Sequence, residues 1–313
     1  MRFGLLALGT LGLAAITSAA IAQRDSPPRD CRPGIECRDH LTKQKRNHRG
    51  GAEAADKPQL ISYGSDPLQA VDYYAAPARN APLVLFVHGG GWKRGDKEMV
   101  EGSAKLSHWR GLGYAVASLN YRLVPGARVE DQAADVAAGL AALLRRAPRL
   151  GFDPKRVVLV GHSAGAHLVA LVGTDPQWLR GAGLGLDAVR GVVPLDGAGY
   201  HVPSQMSENQ RLMGDTYEQA FGTDPERQKA LSPTLHADAP NAPAFLILHV
   251  DRRDAKSQSE GLARALRRAG TPVELQGVAG KGLRGHMEIN RKLGEPDYAA
   301  TAIVDRWLAA RFR

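Results

Sequence analysis

Gly161-His162-Ser163-Ala164-Gly165 sets one serine between two glycines. An apolar, branched run, Val157-Val158-Leu159-Val160, stops at the first glycine, and a small-residue, helix-compatible run opens at Ala164. Strand, sharp turn and helix in that order are what a nucleophile elbow requires. Such a turn strains the serine backbone and points its hydroxyl outward. Side chains at the two glycines would collide with the strand and the helix. In a chain of 313 residues with 35 glycines the pentapeptide alone is a modest signal, and the flanking elements strengthen it.

A second glycine motif follows the apolar run Leu83-Val84-Leu85-Phe86-Val87, namely His88-Gly89-Gly90-Gly91-Trp92. Consecutive glycines let backbone N–H groups point into a site unobstructed, where they can hold the oxyanion of a tetrahedral intermediate. A phosphate cradle would use the same freedom. No Gly-Lys-Ser/Thr ending closes this loop, and a serine elbow comes later in the chain.

With both motifs the chain resembles the α/β-hydrolase superfamily. The closer likeness is to esterases with a His-Gly-Gly-Gly-Trp loop and a Gly-x-Ser-x-Gly elbow: the hormone-sensitive-lipase-like carboxylesterases, the acetylxylan and feruloyl esterase-like group, and the kynurenine-formamidase-like enzymes. Residues 161–168 look most like the formamidase-like and xylan-esterase-like members, and Asn120-Tyr121-Arg122-Leu123 also recurs in these groups. The likeness covers about residues 60–312. It implies an α/β-hydrolase fold, with a mostly parallel central sheet, helices on both faces and an inserted lid segment. It also implies the chain order serine, acid, histidine.

That order sorts the candidates for base and acid. A serine hydroxyl needs a histidine to take its proton and a carboxylate to orient that histidine. Of ten histidines, His40 and His48 lie in the N-terminal tail, His162 and His167 flank the elbow, and His249 ends a predicted strand. His88 belongs to the glycine loop and is expected to prop it. Only His286 lies beyond the strand predicted over 272–278, in the glycine-bounded loop 280–286, and it is the expected base. For the acid, the group usually carries His-Gly-x-x-Asp followed by Val-Pro. This chain has His249-Val250-Asp251-Arg252-Arg253-Asp254 and no Val-Pro, so the loop is remodelled. Asp254 is favoured, being far enough past the strand to turn back toward His286. Asp251 could instead pair with Arg252 or Arg253, or cap the turn. Asp196 is a third candidate, because some α/β-hydrolases take the acid from the end of the preceding strand. The oxyanion donors would be the N–H groups of Gly90 or Gly91 and of Ala164. Trp92 would wall the acyl pocket or brace the loop. No metal and no cofactor enters this chemistry.

These residues need a scaffold, and apolar runs alternating with helical patterns beyond about residue 60 supply one. Strands are predicted over 83–87, 114–118, 157–160, 190–195, 244–249 and 272–278, with an early antiparallel strand at 69–74. Helices are predicted over 131–146, 164–172, 256–269 and 297–311, the first ended by Pro148 and the third capped by Gly270. Residues 197–240 break the alternation and read as a polar lid over the carboxyl edge of the sheet.

The first 22 residues do not belong to that scaffold. A positive start, an apolar run from Phe3 to Ile16 and the small residues of Ala20-Ile21-Ala22 read as a secretory signal cut after Ala22. Residues 23–59 read as a basic, disordered linker that contributes to the net charge of +9. Its Cys31 and Cys37 are expected to form a local disulfide in an oxidising compartment. The linker could touch an anionic surface such as lipid or lipopolysaccharide. No nucleic-acid-binding motif is present. The expected function is that of an exported serine hydrolase of small or short-chain carboxylic esters, working through an acyl-enzyme. An arylformamidase-like amide hydrolase would use the same residues. A binding protein on an inactive hydrolase scaffold would have no need of serine, glycine loop and late histidine together.

Overall fold

The computed structural model describes residues 57–208, 214–238 and 240–313. The predicted export signal, nearly all of the basic linker and the Cys31–Cys37 pair lie outside the described residues. Eight described strands form one sheet: β1 (Gln59–Ser62), β2 (Ala70–Tyr74), β3 (Ala81–Val87), β4 (Ala115–Leu119), β5 (Phe152–His162), β6 (Gly191–Leu195), β7 (Phe245–Asp251) and β8 (Val273–Lys281). Their order is β1-β2-β4-β3-β5-β6-β7-β8. The β1–β2 and β2–β4 pairs are antiparallel, and every later pair is parallel.

The described helices are α1 (Ala104–Gly111), α2 (Val129–Leu150), α3 (Ala164–Thr174), α4 (Pro176–Gly181), α5 (Val202–Glu208), α6 (Gly214–Phe221), α7 (Pro225–Ala230), α8 (Pro233–His236), α9 (Arg253–Arg268), α10 (Gly282–Lys292) and α11 (Ala299–Arg311). Successive strand side chains point to opposite faces, so each central strand feeds two cores. Leu83, Leu85 and Val87 pack on one face with residues of α2, α3 and α9. Val84 and Phe86 pack on the other with Trp109 of α1, Ile289 of α10 and Trp307 of α11. Every residue of β3, β4 and β6 is buried. That is why these strands read as continuous apolar runs rather than alternating ones.

The seven predicted strands are present, and β1 was missed. Of its four residues only Ile61 is buried, so it carries almost no apolar signal. The first predicted helix does not stop at Pro148. It runs on to Leu150, and Gly151 ends it at φ 84° with its N–H on the Ala147 carbonyl. A proline in the last turn costs only one intrahelical donor, and a left-handed glycine supplies the stop. The segment 197–240 is less polar in its packing than in its composition. Tyr200, Val202, Tyr217, Phe221 and Leu231 are all buried in the main core. No described helix is long and apolar enough to cross a membrane.

Each elbow glycine has backbone atoms where a Cβ would go. A Cβ at Gly161 would run into the Gly165 carbonyl, and one at Gly165 into the carbonyls of Val87 and His88. Gly165→Ala is therefore expected to cost at least ~2 kcal/mol of folding free energy, by overpacking rigid backbone. Gly181→Ala, whose Cβ would meet nothing within 4 Å, should stay within about 0.5 kcal/mol of the parent. Denaturant melts of the two variants check this.

Candidate active site

Ser163 sits between β5 and α3 with φ 56° and ψ −117°, a backbone conformation that non-glycine residues rarely adopt. Its N–H is fixed on the Leu195 carbonyl at 3.1 Å. All of α3 is buried, whereas Ser163 itself is half-buried. The chain therefore opens to the cavity at the serine.

The glycine loop runs beside it. Gly90, Gly91 and Trp92 all have positive φ, at 131°, 62° and 59°. His88 props this loop: Nδ1 donates to the Gly89 carbonyl at 2.8 Å, and the ring stacks on Tyr121 at 4.3 Å. The Tyr121 hydroxyl donates to the His88 carbonyl at 3.0 Å. The Trp92 carbonyl accepts from Val124 N–H and from the Gln132 amide. The Trp92 indole is 2% exposed and packs on Tyr217, Phe221 and His167, with Nε1 donating to His167 Nδ1 at 3.3 Å. His167 donates its other nitrogen to the Leu231 carbonyl at 2.8 Å. Burial pushes His167 down to about 4, so it is neutral at ordinary pH.

His286 meets a carboxylate, and the partner is Asp196: Nδ1 lies 2.6 Å from Oδ2. The expectation that Asp254 orients His286 is corrected. Helix α9 begins at Arg253, earlier than predicted, and takes Asp254 into its first turn, where Oδ2 accepts from Arg252 Nη1 at 2.8 Å. Asp251 is exposed at the end of β7. Asp196 follows directly on β6, the strand beside the elbow, at φ 44°. Its Oδ1 accepts from Val250 N–H at 2.9 Å and its Oδ2 also from Arg252 Nε at 3.2 Å. Burial alone would push this carboxyl up. The His286 hydrogen bond, the Arg252 charge and the Val250 N–H outweigh it and hold the group below its usual range. A second correction concerns His286, which lies inside α10 rather than in a loop, because Gly280 and Gly282 at φ 141° and 54° turn the chain directly from β8 into that helix.

With Nδ1 bound to Asp196, Nε2 is the ring nitrogen left for proton transfer. His162 packs on this ring at 4.5 Å between centroids and donates from Nε2 to the His286 carbonyl at 2.9 Å. Ser163, His286, Gly90, Gly91 and Ala164 all line one cavity of about 520 Å³. Its apolar walls include Trp92, Met99, Tyr217, Leu283 and Met287. Among the described residues no group of three or more His, Cys, Asp or Glu side chains is placed to hold a metal ion. Arg252 and His162 were not singled out by sequence. The signal that could have promoted Asp196 was its position immediately after the strand that neighbours the serine strand.

The strand order, the strained serine and the glycine loop are those of the α/β-hydrolase fold. Residues 71–180 match the BD-FAE family. That stretch contains the glycine loop and the elbow, while Asp196 and His286 lie beyond it. Esterase LipC of Mycobacterium tuberculosis is 30% identical over 203 residues, 61% of this chain and 50% of LipC. A probable isoprenylcysteine α-carbonyl methylesterase of Arabidopsis thaliana is 36% identical over 110 residues, 34% of this chain and 26% of that protein. The aligned stretch thus spans half or less of the length of these curated relatives. Esterase B of Lactobacillus rhamnosis shares the fold, with 22% identity and a TM-score of 0.68 over 88% of this chain and 94% of its own.

The depressed Asp196 carboxyl has a consequence for stability. Its ionised form favours the folded state, so its contribution is full above the unfolded value near 3.9 and is lost as pH falls through the lower folded value. Folding free energy should therefore drop between about pH 4 and pH 2, and less steeply in Asp196→Asn. Denaturant titrations across that range measure the two slopes.

Proposed function

We propose that the protein hydrolyses carboxylic esters of small or short-chain acids through an acyl-enzyme on Ser163. The observation that carries this reading is the strained Ser163 elbow sharing one cavity with the positive-φ glycines and with His286, whose ring is bound from behind by Asp196. In the proposed reaction Ser163 Oγ attacks the carbonyl carbon while His286 Nε2 takes its proton. The N–H groups of Gly90 or Gly91 and of Ala164 stabilise the oxyanion. As the tetrahedral intermediate collapses, the imidazolium gives its proton to the departing alkoxide and the acyl group stays on Oγ. Water, deprotonated by the same nitrogen, then releases the acid. Asp196 holds the imidazole tautomer and stabilises the imidazolium, without itself taking the proton.

Esterase LipC and the methylesterase named above support ester chemistry. A cavity of about 520 Å³, with a wall built from the core residues Trp92 and Tyr217, supports a small substrate. We propose in addition that the protein is exported, a reading supported by the apolar run and Ala20-Ile21-Ala22 at the start of the chain.

Ser163→Ala should lower hydrolysis of p-nitrophenyl acetate by on the order of 10⁵–10⁶ with the fold intact, and near-normal turnover by that variant would end the reading. Asp196→Asn should cost roughly 10³–10⁴, and Asp254→Asn less than about tenfold. Across p-nitrophenyl esters from acetate to palmitate, the rate should be highest at the short end; faster turnover of palmitate contradicts the proposed substrate class.

A further inference from the structure

Helix α10 carries His286, yet little apolar surface anchors it. Of its 11 residues only Gly285, Ile289 and Asn290 are buried. Leu283 and Met287, its other large apolar side chains, are 70% and 56% exposed and line the cavity. A general base must be held within a fraction of an ångström of its productive position. One buried isoleucine on an exposed helix is a weak way to do that.

Two buried side chains from other elements grip the backbone of this helix instead. His162, the residue before the serine, donates to the His286 carbonyl. Lys105, on α1, donates Nζ–H to the Asn290 carbonyl and, at 3.1 Å, to Asn290 Oδ1. The two carbonyls lie four residues apart, so the grips are one helical turn apart. Asn290 is in the last turn of α10, where carbonyls lack intrahelical donors and an ammonium suits the negative end of the helix dipole.

Lys105 is only 1% exposed, lies over the Phe86 ring at 5.0 Å and forms no ion pair with a carboxylate among the described residues. Lysines are almost never fully buried without such a partner. Burial pushes its ammonium down to about 7. Burial, and then the charge of His286, push His162 down to about 3, so its Nε2–H acts as a neutral donor. Neither side chain has a part in the proton transfers proposed above.

We infer that His162 and Lys105 are positioning residues for the reaction, which together set the height and tilt of α10 so that the His286 ring meets Ser163. This rests on the ester-hydrolase reading and extends it to residues that touch no reacting atom. His162 gives the base a direct tie to the nucleophile: the residue bonded to Ser163 holds the main chain of His286. Lys105 fixes the same helix one turn further along. Because both accept sites are main-chain oxygens, the grip survives changes in the exposed side chains of α10.

The test begins with the parent and Ser163→Ala on p-nitrophenyl acetate. No hydrolysis by the parent would sink the hydrolase reading, and the inference with it. Given an active parent, His162→Leu and Lys105→Met remove the donors, while His162→Gln and Lys105→Arg keep an N–H within reach. All are assayed well below their melting temperatures. The expected result is a fall in kcat of about 10–100-fold for the first pair, KM within about threefold of the parent, and kcat within about fivefold for the second pair. Lowered Tm with unchanged kcat marks a purely structural role and overturns the inference, as does a loss carried by KM or the same loss in both members of a pair. If Lys105→Met or His162→Leu does not fold, Lys105→Gln or His162→Asn, each with a shorter reach, must show the kcat loss in its place.

Discussion

The register of the parallel strands at their carboxyl ends is the constraint on which the rest depends. Val87 pairs with Gly161, His162 with Leu195, and Leu195 with Leu248. Parallel neighbours lie about 4.8 Å apart. The next residues along three adjacent strands, Ser163, Asp196 and His249, are thereby set side by side, with His88 one strand further along. The Ser163 N–H on the Leu195 carbonyl ties the elbow to the strand end that presents Asp196. A slip of one residue in any of these strands would turn its side chains to the opposite face of the sheet. Gly161 and Gly165 let the elbow helix approach the sheet closely enough for this register to produce a site.

That edge also holds a buried charge, which is tolerable only when paired and hydrogen-bonded. The Asp196 carboxylate is fully buried and receives hydrogen bonds from His286, Val250 and Arg252. Arg252 reaches Asp254 as well, and Nη2 donates to the Asp196 carbonyl. Asp254 thus acts one step back, by neutralising the arginine that braces the carboxylate. Arg252 and Asp254 of this segment have a physical account in that network.

The glycine loop is fixed in the same spirit. The Trp92 indole joins Tyr217, Phe221 and His167, so the loop and the segment after β6 share one apolar cluster. His88 and Tyr121 hold the loop from beneath. Backbone N–H groups fixed by the fold pay no reorganisation at the moment charge develops. The cavity wall is for this reason part of the core rather than a cover laid over it.

The elements legible in the sequence were those set by local rules. Buried parallel strands are short apolar runs, an elbow needs glycine on both sides of its serine, and an oxyanion loop needs glycine in series; each rule operates within about a dozen residues. The chain order then left His286 as the one histidine beyond the last predicted strand. The choice among Asp196, Asp251 and Asp254 obeyed no local rule. His286 and Asp196 lie 90 positions apart, and only the sheet register and the early start of α9 bring one carboxylate forward and turn the other away. Lys105 gave no signal at all, because a lysine in sequence looks solvated; its partner Asn290 is 185 positions away. The sequence by itself determined the strands, the serine turn and the glycine loop, since backbone sterics and apolar periodicity act between near neighbours. The tertiary structure alone decided which carboxylate meets the histidine and which buried groups hold its helix, since those contacts exist only once distant segments pack.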